Sequence, residues 1–374
     1  MHLYLHIPFC KKACHYCDFH FSTNLSQKNR LIKAMAEEIR RQKSYLPDEP
    51  LTSVYFGGGT PSLLTDQELD LLLSETAANF SLDQKAEITL EANPDDLDTA
   101  TILRLLRAGI NRLSIGIQTF DDEMLLFLNR AHTGEQAMNA VRNAQEIGIT
   151  NLSLDLIYAL PAPDHSRLLL DLEKLQSLHT QHLSAYCLTI EPETAFGKWV
   201  AQDKMQPVNE EFAAAQFEIT VRSLTDAGYE QYEISNFARD NQYSRHNSAY
   251  WQRKPYLGIG PSAHSFNGHN RQFNVSNNNQ YLAAMEAGTS PATVELLTAE
   301  DQVNEYLLTG LRTKWGCHLD VLDQLSEGRF REIHRSTVKE LVARGWMQVT
   351  DGVLFVTDAG KLFADRISSD LFLA

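Results

Sequence analysis

The chain has 374 residues, of which 43% are hydrophobic and 22% are charged, as is usual for a globular protein. Its formal net charge of −15 disfavours nucleic acid as a main partner, because a polyanion would be repelled. No apolar run reaches the roughly 20 residues of a membrane helix. The opening MHLYLHIPF lacks the basic and long apolar regions of a signal peptide. We therefore expect a cytoplasmic protein.

Short β-rich runs alternate with helical patterns through the first two thirds of the chain. The runs are His2–Ile7, Ser53–Phe56, Glu87–Leu90, Arg112–Ile117, Asn151–Leu156 and Leu183–Leu188. Helical periodicity fills the intervals, for example over Lys28–Gln42 and Gly134–Ile147. Strands that alternate with helices at intervals of about 30 residues predict parallel βαβ units. Six such units predict an α/β fold, a partial (β/α)6 barrel that is open on one side.

Polar residues and glycines collect where these runs end. Gly57-Gly-Gly-Thr60 follows the second run, and Glu91, Gln118 and Asp155 close the third, fourth and fifth. In a β/α barrel, the active site is built at the C-terminal ends of the strands. The sequence therefore predicts a functional site at this end of the barrel.

The regular alternation of β-rich runs and helical patterns ends in the last third of the chain. A stretch rich in Asn, Ser, Gly and aromatic residues follows a helical pattern at Glu210–Ala227. Further helical patterns and two β-rich runs around Asp351-Gly352 then predict a winged-helix-like module. We expect three units: a barrel over 1–234, a loop-rich connecting segment over 235–297, and a helical, winged-helix-like domain over 298–374.

Three of the five cysteines lie close together, in Cys10-Lys-Lys-Ala-Cys14-His-Tyr-Cys17. A clustered triplet in a chain without a disulfide framework is typical of metal binding. Three thiolates on one loop can hold three irons of a 4Fe–4S cluster and leave the fourth iron open. The alternative is a structural zinc site, to which His6, His15 or His20 would supply a fourth ligand. Cys187 and Cys317 stand apart, as a predicted buried strand residue and a thiol without a role.

Together, the triplet and the glycine run resemble the radical S-adenosylmethionine (SAM) family, and within it the coproporphyrinogen III oxidase-like branch. The matching segments are Tyr4–Cys10, the triplet, Gly57–Pro61, Glu91–Pro94, Leu113–Gln118, Asn129-Arg130 and Asp155–Pro161. The resemblance covers essentially the whole chain. It implies a 4Fe–4S cluster on Cys10, Cys14 and Cys17, with SAM on the open iron.

The same resemblance implies which residues contact SAM. They are Tyr4, Tyr16, Gly58, Gly59, Thr60, Glu91, Gln118, Arg130 and Asp155. Their chemistry agrees, since a carboxylate at 91 accepts from an ammonium and an arginine at 130 pairs with a carboxylate. The alternative for each carboxylate is a structural hydrogen bond at a strand end.

Two departures separate this chain from the oxidases of the branch. Oxidases carry a fourth cysteine two residues after the triplet, where this chain has Phe19. They also carry an N-terminal extension that is missing before Cys10. Both departures resemble the heme chaperones of the branch, which bind heme and pass it to acceptor apoproteins. The expected function is heme delivery without coproporphyrinogen oxidase activity, and the alternative is a radical SAM enzyme acting on a tetrapyrrole.

A heme contact is implied by the segment His246-Asn-Ser-Ala-Tyr250-Trp251, which matches the pattern H-N-x-x-Y-W of those chaperones. An imidazole at 246 can ligate heme iron, and the two aromatic rings can lie against a porphyrin face. The alternative is a loop packed by two aromatics, with His246 bonded to backbone. Cys187 is a weaker candidate ligand, and His264 lies in a glycine-rich loop that could face the cofactor. Heme-accepting apoproteins are the implied partners, membrane-associated ones among them, and a homodimer is left open.

Overall fold

The computed structural model describes residues 1–373 and is built around one large sheet. Its central strands are β1 (His2–Ile7), β2 (Leu51–Gly58), β3 (Leu82–Ala92), β4 (Arg112–Gln118), β5 (Leu152–Tyr158) and β6 (His182–Cys187). They lie side by side in chain order, each parallel to the next. The predicted partial barrel is confirmed.

Six helices connect these strands: α1 (Lys28–Arg41), α2 (Asp66–Asn79), α3 (Thr99–Arg107), α4 (Asp122–Phe127), α5 (Gly134–Ile147) and α6 (Ser166–Ser177). Local sequence sets where several of them begin. Thr65 and Thr133 each form a capping box with the residue three positions later, and Asp98 accepts from the Thr101 N–H. Such caps satisfy amides that the first helical turn leaves unpaired.

Alternation along the strands separates an apolar layer from a polar one. In β1, Leu3, Leu5 and Ile7 are fully buried in the main core, beneath the helices. The alternate residues of the strand, such as His2 and His6, point to the other face of the sheet, since successive side chains of a strand alternate. The concave interior of the barrel is therefore polar along its length.

The connecting segment extends the sheet at both edges. It follows α7 (Ala195–Ala201), α8 (Glu210–Asp226) and β7 (Glu230–Glu233), and it includes β8 (Asn236–Ala238), α9 (Arg245–Trp251), β9 (Tyr256–Ile259), β10 (His264–Phe266), β11 (Asn270–Asn274), α10 (Asn278–Glu286) and β12 (Ala292–Leu296). The strand order is β12-β11-β10-β9-β1-β2-β3-β4-β5-β6-β8-β7.

This regular structure differs from the loop-rich stretch expected over 235–297. The strands there have only three to five residues. They extend the existing sheet, because β9 pairs in parallel with the free edge of β1 and β8 pairs antiparallel with β6. The boundaries expected at 234/235 and 297/298 stay predictions.

The C-terminal part has its own sheet and core. Its elements are α11 (Ala299–Gly310), β13 (Cys317–His318), α12 (Leu319–Leu325), α13 (Phe330–Ile333), α14 (Arg335–Ala343), β14 (Met347–Thr350), β15 (Val353–Val356) and α15 (Ala364–Asp370). The strands pair in the order β13-β15-β14. Val303, Leu307, Leu322 and Phe330 are fully buried between them and the helices. Within residues 1–373, no helix combines the length and apolar composition needed to cross a bilayer.

Candidate cofactor site at the C-terminal ends of the strands

The cysteine loop leaves the end of β1 and is held at both sides. The Cys10 N–H donates to the Ser22 carbonyl at 3.1 Å, and the Cys17 N–H donates to the Cys14 carbonyl at 3.3 Å. From the far side, Asn129 Nδ2 donates to the Ala13 carbonyl at 2.7 Å. All three thiols are free and partly exposed. The loop thus presents three cysteine side chains at the open end of the barrel.

The three cysteines supply the number of thiolates that a cluster with one open iron requires. Within residues 1–373, no group of three or more His, Cys, Asp or Glu side chains is already arranged to hold a metal ion. In a cubane, each thiolate binds a different iron. Burial raises the pKa of Cys17 to about 11 and also raises that of Cys10. Both thiols therefore stay protonated until a metal displaces the proton.

The histidines proposed for a zinc site are engaged elsewhere. His6 uses both ring nitrogens, with the Tyr4 hydroxyl at 3.0 Å and the His20 carbonyl at 2.9 Å. His15 Nδ1 lies 2.9 Å from the Phe127 carbonyl. His20 Nε2 lies 2.8 Å from Asn278 Oδ1. His6 could bind zinc only by giving up one of these contacts, whereas His15 and His20 each keep one ring nitrogen without a hydrogen-bond partner among residues 1–373.

The glycine run packs against the start of the cysteine loop. The Gly59 and Thr60 N–H groups donate to the Ile7 and Phe9 carbonyls at 2.9 and 2.7 Å. Gly58 has a φ of +103°, and a Cβ there would lie 2.5 Å from the His6 ring. A Cβ on Gly59 would lie 2.7 Å from the backbone of both Ile7 and Phe9. Glycine is therefore required at both positions by protein packing.

Two half-buried carboxylates face the barrel interior without a cationic partner. Glu91 accepts from the Tyr55 hydroxyl at 2.8 Å and from the Gly58 N–H at 3.1 Å. Asp155 accepts from the Ser114 hydroxyl at 3.3 Å. Burial raises the pKa of Glu91 to about 7 and also raises that of Asp155. Neither is within 4.0 Å of a basic side chain among the residues described, so both can accept from a ligand.

Arg130 connects the cysteine loop to the end of β4. Its Nη1 lies 3.5 Å from Cys14 Sγ, and its Nη2 donates to Asn93 Oδ1 at 2.5 Å and to the Gly116 carbonyl at 2.8 Å. Its buried Nε has no partner among residues 1–373. Asn93 also donates to Thr60 Oγ1 at 3.3 Å. Sequence reasoning missed Asn93 as a site residue, although it lies in the matched segment Glu91–Pro94.

The predicted SAM contacts converge at this end with one exception. Gln118 closes β4 in a left-handed conformation, with a φ of 68°. Tyr16 belongs to the cysteine loop and packs beside a small apolar core. Tyr4 lies deeper in the barrel, with its ring centroid 6.1 Å from that of Tyr55 and 6.2 Å from that of His246.

We expected His246 in a loop, as part of the loop-rich segment over 235–297, but it lies in a helix. It belongs to α9 and is 5% exposed. Its Nδ1 lies 2.8 Å from Ser53 Oγ, its N–H donates to Glu87, and its ring stacks on Tyr55 at 4.9 Å. Burial lowers its pKa to about 3. The segment forms a helix because Ser244 caps it and the start of the barrel buries it.

The three members of the expected heme contact face different surroundings. Tyr250 is 40% exposed and shares a hydrogen bond of 2.8 Å with the Tyr256 hydroxyl. The Trp251 ring lies under the guanidinium of Arg312, 5.5 Å away. His246 points into the barrel instead. They therefore form no common surface for a porphyrin, and heme ligation by His246 stays a prediction.

Cys187, Cys317 and His264 lie outside the predicted cofactor contacts. Cys187 is exposed at the end of β6, in contrast to the buried position expected. Cys317 is buried, and its Sγ donates to the Tyr306 carbonyl at 3.2 Å. The rings of His264 and Phe273 lie 5.6 Å apart.

Comparisons with known proteins agree with the fold. The model of the Radical SAM superfamily matches residues 4–172, and that of the HemN C-terminal domain matches residues 297–363. The solved structure of coproporphyrinogen III oxidase (HemN) from Escherichia coli superposes with a TM-score of 0.85 at 24% identity, over 99% of this chain and 89% of that one. This likeness establishes the fold.

Curated relatives match at higher identity and over nearly the full length. The heme chaperone HemW of Bacillus subtilis (strain 168) is 32% identical over 97% of both chains. The heme chaperone HemW of Escherichia coli (strain K12) is 31% identical over 100% of this chain and 98% of its own. The chain therefore belongs to the radical SAM superfamily and, within it, to the HemW family.

Proposed function

We propose that this protein is a heme chaperone, which binds heme and transfers it to acceptor apoproteins, and which carries a 4Fe–4S cluster and SAM. The observation that carries the proposal is the near full-length relationship to heme chaperones together with a cluster loop that has only three cysteines. Phe19 stands where the oxidases of the branch have a fourth cysteine. Its side chain is 71% exposed at the rim of the barrel.

Different residues at the open end bind the cluster and SAM. Cys10, Cys14 and Cys17 hold three irons, and the cluster supplies an open iron at which SAM can be bound and reductively cleaved. Glu91 accepts from the SAM ammonium and Asp155 from a ribose hydroxyl, because both are half-buried acceptors without a cation within hydrogen-bond distance. Arg130 offers its unpartnered Nε to the carboxylate.

The backbone also contributes to this pocket. Gly58, Gly59 and Thr60 pass close to the loop that carries Cys10, so they fix its distance from the carboxylates. Tyr16 and Gln118 line the sides of the opening. Tyr4 supports the floor through its hydrogen bond with His6.

The proposal also includes partners for the protein and a location in the cell. We place the protein in the cytoplasm, where heme acceptors that include membrane-associated apoproteins are accessible. We leave a homodimer open. Nucleic acid is not among the partners proposed, because the net charge is −15.

The decisive experiment uses the anaerobically reconstituted protein. It is titrated separately with heme and with SAM, and heme-loaded protein is then mixed with apomyoglobin as a model acceptor. We expect saturable binding of both ligands and the appearance of holomyoglobin. No saturable heme binding, or no transfer, would refute the chaperone function.

The second candidate function is oxidative decarboxylation of a tetrapyrrole, favoured by the shared fold with coproporphyrinogen III oxidase. The same preparation is incubated with coproporphyrinogen, SAM and a reductant. We expect no loss of carboxyl groups, because the oxidase-type fourth cysteine is replaced by Phe19. Decarboxylation at a catalytic rate would favour the enzyme instead.

A further inference from the structure

A second cavity lies beside the open end of the barrel, between α4, α6 and the start of α8. Its volume is about 770 Å³, within the range of about 300–1,000 Å³ that is typical of small-molecule and cofactor sites. The lining is mostly apolar and includes Phe127, Leu160, Pro161, Val208 and Phe212. Such a cavity suits a flat apolar ligand whose polar edge stays in solvent.

Two side chains in this cavity can ligate iron. His165 and Met205 both line it, and imidazole and thioether are the axial ligands of many hemes. The His165 ring stacks on Phe212 at a centroid distance of 4.7 Å, which fixes the plane of the imidazole. A ligand already oriented by its neighbours loses little freedom on binding a metal.

The hydrogen bonds of His165 leave one ring nitrogen free. Gln216 Oε1 accepts from the Ala159 N–H at 2.6 Å, so the amide turns its Nε2 toward His165 Nδ1, 3.5 Å away. His165 Nε2 has no hydrogen-bond partner among residues 1–373. Iron binding through Nε2 places the remaining proton on Nδ1. The long contact to Gln216 is then given up, at little cost because it is at the limit of a hydrogen bond.

The cavity also shares a wall with the cysteine loop. Phe127 lines the cavity, and its carbonyl receives the contact from His15 Nδ1 at 2.9 Å. His15 is the neighbour of Cys14 in the chain. A ligand in the cavity is therefore separated from the cluster loop by one layer of side chains.

From these observations, we propose that heme binds in this cavity, with His165 Nε2 as an axial ligand and Met205 beside the macrocycle. The inference rests on the proposed chaperone function and assigns its heme site. It moves the site away from His246, whose ring is buried and whose Nδ1 is held by Ser53.

The test compares single variants of the anaerobically reconstituted protein. His165→Ala is expected to weaken heme binding at least tenfold and to remove the spectral features of imidazole ligation. Val208→Glu is expected to weaken binding while keeping the imidazole signature of the heme that still binds, since it places a charge on the apolar wall. His179→Ala, at an exposed histidine beyond α6, is the matched control and should bind heme as the wild type does. Iron, sulfide and SAM binding should persist in every variant.

The outcomes separate this inference from the function itself. If the wild type binds no heme, the proposed chaperone function fails. If the wild type binds and transfers heme, but His165→Ala has an unchanged spectrum and affinity, only the site is wrong. Loss of the imidazole signature in His246→Gln, with His165→Ala unaffected, would overturn the proposal in favour of α9.

Discussion

The barrel has an open end, at the C-terminal ends of its strands, and a closed end, at their N-terminal ends beneath α9. Both ends are lined by polar side chains, but the hydrogen-bond and ionic partners of those side chains differ. At the closed end, beneath α9, Glu87 accepts from the N–H groups of Arg245 and His246 and lies 3.9 Å from the Arg112 guanidinium. At the open end, Glu91 and Asp155 have only neutral donors. A buried polar residue is thus informative about ligands only when its partners are incomplete.

Two histidines, one at each end, also differ in how many of their ring nitrogens have a hydrogen-bond partner. At the closed end, His182 lies between the Ser153 hydroxyl at 2.8 Å and the Tyr232 hydroxyl at 2.7 Å, so both ring nitrogens are engaged. At the rim of the open end, His165 has a free Nε2. We therefore expect substitutions at the closed end to affect stability, and substitutions at the open end to affect ligands.

The largest effect is expected at the cysteine loop. Cys14→Ser should abolish the cluster, because it removes the thiolate of one iron. Iron and sulfide analysis after anaerobic reconstitution measures the loss, and Cys10→Ser and Cys17→Ser should behave alike. Cys187→Ser, an exposed cysteine outside the loop, is the control and should keep its iron. Full iron in Cys14→Ser would contradict the assignment.

At the closed end, Glu87→Ala should lower the free energy of unfolding by about 3–5 kcal/mol, because Arg112 is left as an uncompensated buried charge. Urea denaturation of the apoprotein measures the change. Glu37→Ala, which breaks a surface pair with Arg40 and Arg41, should cost no more than about 1 kcal/mol. Equal losses in the two variants would show that Glu87 stabilises the fold no more than a surface carboxylate does.

The buried His246 makes the closed end sensitive to acid. Its pKa is lowered to about 3 in the folded protein, so the unfolded chain binds more protons below pH 6.5. Stability is therefore full above that pH and is lost as the pH falls. At pH 5.5, the loss from this residue alone is about 1.4 kcal/mol relative to pH 7.5. Urea titrations at the two pH values should show a smaller loss in His246→Gln; an equal loss would disprove the linkage.

The smallest effect is expected at a single SAM contact. Asp155→Asn should weaken SAM binding about tenfold, or about 1.4 kcal/mol, and leave the cluster intact. Equilibrium dialysis of the reconstituted protein measures the affinity. Asp98→Asn is the matched control, since this exposed residue caps α3 and asparagine caps equally well. If both variants bind SAM like the wild type, Asp155 is a structural acceptor only.

Local patterns predicted the parts of the molecule that local interactions determine. The strands β1–β6 could be found because their apolar runs are bounded by turn residues and separated by helical periodicity. The position of the site followed, since parallel strands present their C-terminal ends at the same edge. Glu91, Gln118 and Asp155 are all found there. The segment containing Asn93 was matched, but its links to Thr60 and Arg130 depend on three separate elements.

Distant pairings could not be predicted in this way. The strand β9 has four residues, and its partner β1 lies at the opposite end of the sequence. His246 was expected on the surface because a short Asn- and Ser-rich stretch resembles a loop. Only the tertiary fold shows that the start of the barrel buries it. The cavity around His165 also escaped prediction, because Met205 and Phe127 reach it from separate segments.

The pairing of β1 with β9 has a consequence for how the chain folds during synthesis. Leu3 and Leu257 are partners, so β1 leaves the ribosome well before β9, its partner on this edge. At about 5–20 residues per second, this delay is roughly 10–50 s. During that time one backbone edge of β1, next to the cysteine loop, is open to wrong partners. Nascent chains that stop before β9 therefore keep this edge of β1 unpaired.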